Sequence, residues 1–222
     1  MLSLDFLIVC NGDLRWTPPL ASLARGASVV IAADGGADAL ARIGLRPASV
    51  VGDMDSISPE ARRWVGGDRL VTVTDQDSTD LEKCLAHLEA KHGHGNAIVL
   101  GAMGGRLDHI IGNLGTLARR AAGPDLLYLS NTEMVLATRE PVALPSIPGE
   151  TWAVWATDPV TRIAVEGLAW PLPDRDTALW PSTSNRAVAT SVTVTPVHGV
   201  ALVMRQPAPE FWASGISPAT PR

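Results

Sequence analysis

Val29-Val30-Ile31-Ala32-Ala33-Asp34-Gly35-Gly36 and, a little further on, Ser49-Val50-Val51-Gly52-Asp53-Met54-Asp55-Ser56 share one grammar. A short aliphatic run without polar alternation ends in a turn built from glycine and aspartate. A strand that is apolar at nearly every position has both faces covered, the condition inside a parallel sheet flanked by helices. Residues 4–10, 70–73, 97–101 and 126–129 repeat the pattern, with helical segments between them. The strongest helix is predicted at about 79 to 90, where Leu81, Cys84, Leu85 and Leu88 recur at helical spacing and Glu82, Lys83 and Glu89 supply a wet face. A second is predicted at about 108 to 122, with Ile110, Ile111, Leu114, Leu117 and Ala118 as its apolar stripe. The first half therefore reads as an α/β domain with a mostly parallel sheet covered on both faces.

The periodicity changes from about Met134. Short alternating strands at 152–156, 161–165, 189–197 and 200–204 are separated by proline and glycine, with few helical stripes between them. This predicts a smaller all-β domain, a sandwich or jelly roll, with residues 1–133 in the first domain, 134–222 in the second and the boundary near 131–142. Beyond Gln206 the prolines predict an irregular tail, docked through Phe211 and Trp212.

Composition limits the functions open to the chain. Its 222 residues are 46% hydrophobic and 18% charged, enough for one substantial core or two modest ones, and the net charge of -5 comes without a Lys/Arg block interleaved with aromatics. A nucleic-acid backbone is thus not an expected partner. The apolar run at 2–10 is too short to span a bilayer, is interrupted by Asp5 and lacks a basic flank, so it reads as a first strand of a cytoplasmic protein. Cys10 and Cys84 lie far apart in sequence and read as buried thiols, with neither metal spacing nor a disulfide framework.

The chemistry is concentrated in the turns. Asp34, Asp53, Asp55, Asp75, Asp77, Asp80 and Asp108 all sit at or just beyond predicted strand ends or helix starts. If the backbone is extended, Asp53 and Asp55 project to the same side, and a hard divalent cation would relieve their repulsion while attracting phosphate oxygens. The competing reading is ordinary turn and capping chemistry, in which aspartate accepts backbone N–H groups; Asp80 in particular suits the first turn of the helix carrying Leu81. Gly35-Gly36 and the cluster from Gly101 to Gly105 suit tight turns with amides facing an anion, although neither is a P-loop or a dinucleotide fingerprint. Arg106 either forks onto phosphate or pairs with a neighbouring aspartate. His109 is open between a base and a helix brace. On residues alone the chain is an α/β protein with a cation-dependent phosphate site and an appended β-domain.

A series of motifs in fixed order resembles the thiamine pyrophosphokinase family: Asn11-Gly12, Ala33-Asp34-Gly35-Gly36-Ala37, Gly52-Asp53-Met54-Asp55-Ser56, Asp75-Gln76-Asp77-Ser78-Thr79-Asp80, Gly104-Gly105-Arg106-Leu107-Asp108-His109 with Asn113, Gly167-Leu168-Ala169-Trp170-Pro171-Leu172 and Ser182-Thr183-Ser184-Asn185. The resemblance implies Mg-dependent transfer of a pyrophosphoryl group from ATP to the hydroxyl of thiamine, giving thiamine diphosphate and AMP in a homodimer with active sites at the interface. It implies Mg2+ at Asp53, Asp55, Asp77 and Asp80, and ATP at Asn11, Asp34, Gly35, Gly36, Gly104, Gly105 and Arg106. It further implies thiamine at Asp108, Trp170, Ser184 and Asn185, with Asp55, Asp77, Arg106 and Asp108 as the catalytic set. Two positions depart from the family: Arg186 stands where an acidic residue often follows Ser-Asn, and Gln76 where bacterial relatives often have lysine. Trp170 reads otherwise as a sandwich-core residue. The rival functions are a pyrophosphokinase with another acceptor and a non-catalytic sensor that keeps the pocket.

Overall fold

The computed structural model describes residues 4–121, 125–157, 161–170, 172–176 and 182–207, with the backbone alone at 173–176. Phe211, Trp212 and the last prolines lie outside the described residues. Packing divides the chain into two compact units, Ser3–Asn113 with Tyr128–Asn131 in one, and chiefly Leu114–Leu127 with Thr132–Arg222 in the other.

The first unit is built on β1 (Phe6–Val9), β2 (Val29–Ala33), β3 (Ser49–Gly52), β4 (Leu70–Thr72) and β5 (Ala97–Leu100). These pair in parallel in the order β5-β1-β2-β3-β4, with registers such as Ile8 opposite both Ile31 and Val99. The strand β6 (Leu126–Leu129) lies next to β5. Every residue of β1, β3 and β5 is buried, as the unalternated apolar runs require. Between the strands run α1 (Pro18–Gly26), α2 (Gly36–Arg42), α3 (Pro59–Val65), α4 (Asp80–His92) and α5 (Leu107–Arg119).

Helices α1 and α3 start with Thr17 and Ser58, whose hydroxyls accept the N–H groups of Leu20 and Ala61, followed by proline in the first turn. Neither was expected from apolar periodicity, because each is short and its buried face is only two residues wide. In α5 the predicted stripe is narrower than expected: Leu117 is buried, but Ile111 is 61% exposed, as is Leu107 at 69%.

The second unit is antiparallel. One layer runs in the order β12 (Ser182–Arg186), β9 (Thr151–Ala156), β14 (Ala201–Gln206), β7 (Met134–Thr138), and the other β11 (Leu172–Asp176), β10 (Arg162–Glu166), β13 (Ser191–His198), β8 (Val142–Pro145). Val154, Val203, Ile163, Val165, Val192 and Val194 are all buried, the alternating inward set of a sandwich. The two layers are tied by Arg205 of β14, whose guanidinium donates to the Pro145 carbonyl at the end of β8 (2.8 Å) and to Glu150 (3.2 Å) while lying 5.2 Å from the Trp152 ring. The α/β fold with its mostly parallel sheet and separate antiparallel β region is the one expected.

Candidate functional site

The order β5-β1-β2-β3-β4 reverses direction beside β1, and the carboxyl ends of parallel strands open a crevice at such a switch point. A cavity of about 370 Å³ lies in the first unit, lined by the turns that leave all five strands: Asn11 and Gly12 after β1, Asp34 and Gly35 after β2, Asp53 after β3, Gln76 and Ser78 to Leu81 around the start of α4, and Gly101, Ala102 and Gly104 to Arg106 after β5.

Close backbone approach makes this crevice. A Cβ on Gly36 would overlap the Val9 carbonyl, and one on Gly12 would overlap the Gly101 carbonyl, which accepts the Gly12 N–H at 3.0 Å. Gly101 itself has a φ of 71°. Glycine here brings three strand ends together and leaves room for a ligand against main chain.

Asp34 organises the floor. It is 1% exposed, has a φ of 40°, and its two carboxylate oxygens accept the N–H groups of Ser56 and Ile57, each at 3.0 Å. Burial pushes its carboxyl above the ordinary aspartate value, and Asp80 and Asp55 add to that push against the two N–H donors. One carboxylate oxygen from each of Asp34, Asp53 and Asp80 lies within 4.8 Å of the others. An all-oxygen set of this kind suits a hard cation, so the residues present fit Mg2+.

The extended geometry assumed for Asp53 and Asp55 is not what forms. Met54 takes a φ of 69°, and the Asp55 N–H folds back to Asp53 Oδ1 at 3.3 Å. That N–H is the main reason the Asp53 carboxyl sits below its ordinary value. Asp53 joins the trio, while Asp55, whose carboxylate stays beside that of Asp53, is exposed and accepts the Ser56 hydroxyl at 2.8 Å. Asp77 is also exposed, in a turn where its N–H goes to Asp75 at 3.1 Å. The trio thus takes in Asp34, expected on the nucleotide side, and leaves out Asp55 and Asp77.

Asp80 is placed by the start of α4, where Thr79 and Glu82 form a reciprocal capping box. Lys83, one turn on, was expected on the wet face. It is instead buried, its side chain 5% exposed, with Nζ 3.2 Å from Asp80 Oδ1. It lines the crevice, and sequence reasoning missed it because a lysine beside two glutamates reads as solvated; the signal was its i, i+3 spacing from Asp80.

At the rim, Arg106 forks onto Asp108, with Nε to Oδ1 at 3.1 Å and a terminal nitrogen to Oδ2 at 2.6 Å. The guanidinium holds the Asp108 carboxyl below its ordinary value. Both side chains are exposed, so the pair itself adds little stability and opens at small cost. His109 and Asn113 also line the crevice, Asn113 donating to the Ala102 carbonyl at 2.8 Å.

Trp170, Ser184 and Asn185 belong to the second unit. Asn185 is buried, accepts the Trp170 N–H at 3.1 Å and donates to the Trp170 carbonyl at 2.7 Å, so that its side chain acts as a strand partner for that residue. The Trp170 side chain is 62% exposed, which rules out the core role, and Ser184 is exposed with a φ of 55°.

Residues 20–126 match the family model described as thiamin pyrophosphokinase, catalytic domain. The chain is 33% identical to thiamine pyrophosphokinase 1 of Oryza sativa subsp. japonica in an alignment of 137 residues that takes in 51% of each protein. With thiamine pyrophosphokinase 1 of Arabidopsis thaliana it shares 35% identity over 139 residues, 51% of this chain and 50% of that one. The chain thus spans about half the length of the curated relatives it matches. Among solved structures, thiamine pyrophosphokinase from Bacillus subtilis superposes with a TM-score of 0.77 at 20% identity, covering 91% of this chain and 99% of that one. The Candida albicans enzyme gives 0.76 at 17% identity, covering 91% and 89%. At such identities the likeness shows the fold.

Proposed function

We propose, from the match of residues 20–126 to the thiamin pyrophosphokinase catalytic-domain model, that this chain transfers a pyrophosphoryl group from ATP to the hydroxyl of thiamine. The observation that carries the reading is the convergence of Asp34, Asp53 and Asp80 with the glycine turns after β1, β2 and β5 in one switch-point crevice. Carboxylates alone would repel a polyphosphate, and glycine turns alone would bind any small anion; together they suit a metal–polyphosphate complex.

In this reading the thiamine oxygen attacks the β-phosphorus in line. The new O–P bond forms as the bond from that phosphorus to the oxygen bridging it to the α-phosphorus breaks, and AMP leaves. Mg2+ held by Asp53 and Asp80 with Asp34, and supported from the loops by Asp55 and Asp77, would offset charge on the phosphate oxygens. Asn11, Gly35, Gly36, Gly104 and Gly105 shape the nucleotide pocket. Arg106 leaves Asp108 for a phosphate oxygen, which its planar fork suits. Asp108, relieved of that cation, regains basicity and accepts a hydrogen bond from the thiamine hydroxyl, orienting it and taking its proton as attack proceeds. Trp170 and Ser184 receive the thiamine ring, with Asn185 bracing the Trp170 backbone, presented by the second copy of a cytoplasmic homodimer. No helix among the described residues is long and apolar enough to cross a membrane.

Purified protein incubated with thiamine, ATP and Mg2+ is expected to yield equimolar AMP and thiamine diphosphate. ADP with thiamine monophosphate, or nucleotide turnover indifferent to thiamine, would refute this function.

A further inference from the structure

The crevice contains one buried cation that the roles above leave unused. Lys83 points from α4 into the crevice, its side chain 5% exposed and its Nζ 3.2 Å from Asp80 Oδ1. Its charge is also felt at Asp53 and at Asp75, where it favours the ionised carboxylates. A buried ammonium is costly to desolvate and persists where it has a charged partner. The carboxylate trio offers three formal negative charges in a small volume, and Lys83 cancels one of them. Asp80 is therefore both a member of the cation-binding trio and the partner of a resident cation.

We propose that Lys83 is a place-holder for the divalent ion: it occupies Asp80 until a polyphosphate takes the ammonium, so that ion and polyphosphate bind as a pair and each binds weakly alone. The inference rests on the proposed metal–polyphosphate reading and deepens it by assigning Lys83 as a positioning residue. Free divalent ion entering the trio meets the ammonium at close range and finds Asp80 already engaged. Polyphosphate offers the ammonium a second anion, and transfer of Lys83 releases the Asp80 carboxylate to the ion. No bond is made or broken beyond these ionic contacts.

The test is Lys83→Met, which keeps the length and packing of the side chain and deletes the charge. Binding of Mn2+ alone is followed by the electron paramagnetic resonance signal of the free ion, and binding of metal-free inorganic triphosphate by calorimetry. Mn2+ is expected to bind at least about tenfold more tightly than to the wild type, because a like charge at ion-pair range has gone. Triphosphate is expected to bind more weakly by about fivefold or more, having lost a charged donor. A purely structural lysine would move both affinities the same way. Unchanged Mn2+ affinity, or loss of affinity for both ligands, overturns the proposal. Should Lys83→Met not fold, as judged by circular dichroism, Lys83→Gln replaces it with the same expectations. Neither measurement uses thiamine or turnover, so a failure to make thiamine diphosphate would refute the function while leaving this inference standing.

Discussion

Asp34 shows how a single side chain serves structure and chemistry together. Its oxygens stitch the loop after β3 onto the end of β2 through Ser56 and Ile57, while one of them also faces Asp53 and Asp80. Because burial raises its carboxyl above the ordinary value, the folded state holds this proton more tightly than the unfolded chain does. Its contribution to stability is therefore fully present below the unfolded value and falls as pH rises through the raised one. The unfolding free energy of the wild type minus that of Asp34→Asn should shrink from about pH 3 to about pH 7 in urea titrations; growth over that range would mean that the two N–H donors outweigh burial. Asp55 behaves differently. Its carboxylate is exposed and accepts the neighbouring Ser56 hydroxyl, so Asp55→Ala should leave thermal stability within about 0.5 kcal/mol of the wild type. Metal-dependent turnover should nevertheless fall by at least about tenfold if Asp55 supports the ion, and near-normal turnover would remove it from the site. The aspartates themselves were legible in the sequence, but their grouping was not. The left-handed Met54 leaves Asp55 beside Asp53 but outside the trio, and no periodicity rule reports a positive φ at a methionine.

At the level of elements, α4 carries most of what the crevice needs. Its capping box fixes the first turn, where Asp80 sits, and its next turn delivers Lys83 to the same carboxylate. Thr79→Ala removes the acceptor for the Glu82 N–H and should cost about 1 kcal/mol in chemical denaturation. The same change should weaken Mn2+ binding, since the Asp80 carboxylate loses the turn that aims it. The existence of α4 was readable from its apolar stripe, with the start one residue later than expected and the end two residues beyond. The helices α1 and α3 announce themselves by Thr17-Pro18 and Ser58-Pro59, capping signals rather than stripes. Helix α5 misleads in the other direction: Ile111 fits its helical pattern and yet faces outward, because periodicity identifies an apolar face without saying what covers it.

On the scale of the molecule, the change from unalternated to alternating apolar runs revealed two different architectures. What it could not reveal was the pairing order, since strands such as β7, β8 and β12 carry little distinguishing pattern and find their places through partners distant in sequence. The second unit also contains a charged contact that composition would not suggest, the buried pair Arg205–Glu150. Glu150→Ala would leave the guanidinium without its carboxylate in a dry environment and should destabilise by about 3 kcal/mol or more, measured by guanidinium denaturation. The first unit offers a different kind of readout. Cys10 closes β1 at the crevice and Cys84 lies on α4 behind it, both buried, with burial pushing the Cys10 thiol up to about 12. A thiol so protonated and enclosed hardly reacts with alkylating reagents while the sheet is closed. The rate at which these two sulfurs take up iodoacetamide is therefore a clock for transient opening of the first unit, and a ligand that slows the clock reveals its binding without any need for catalysis.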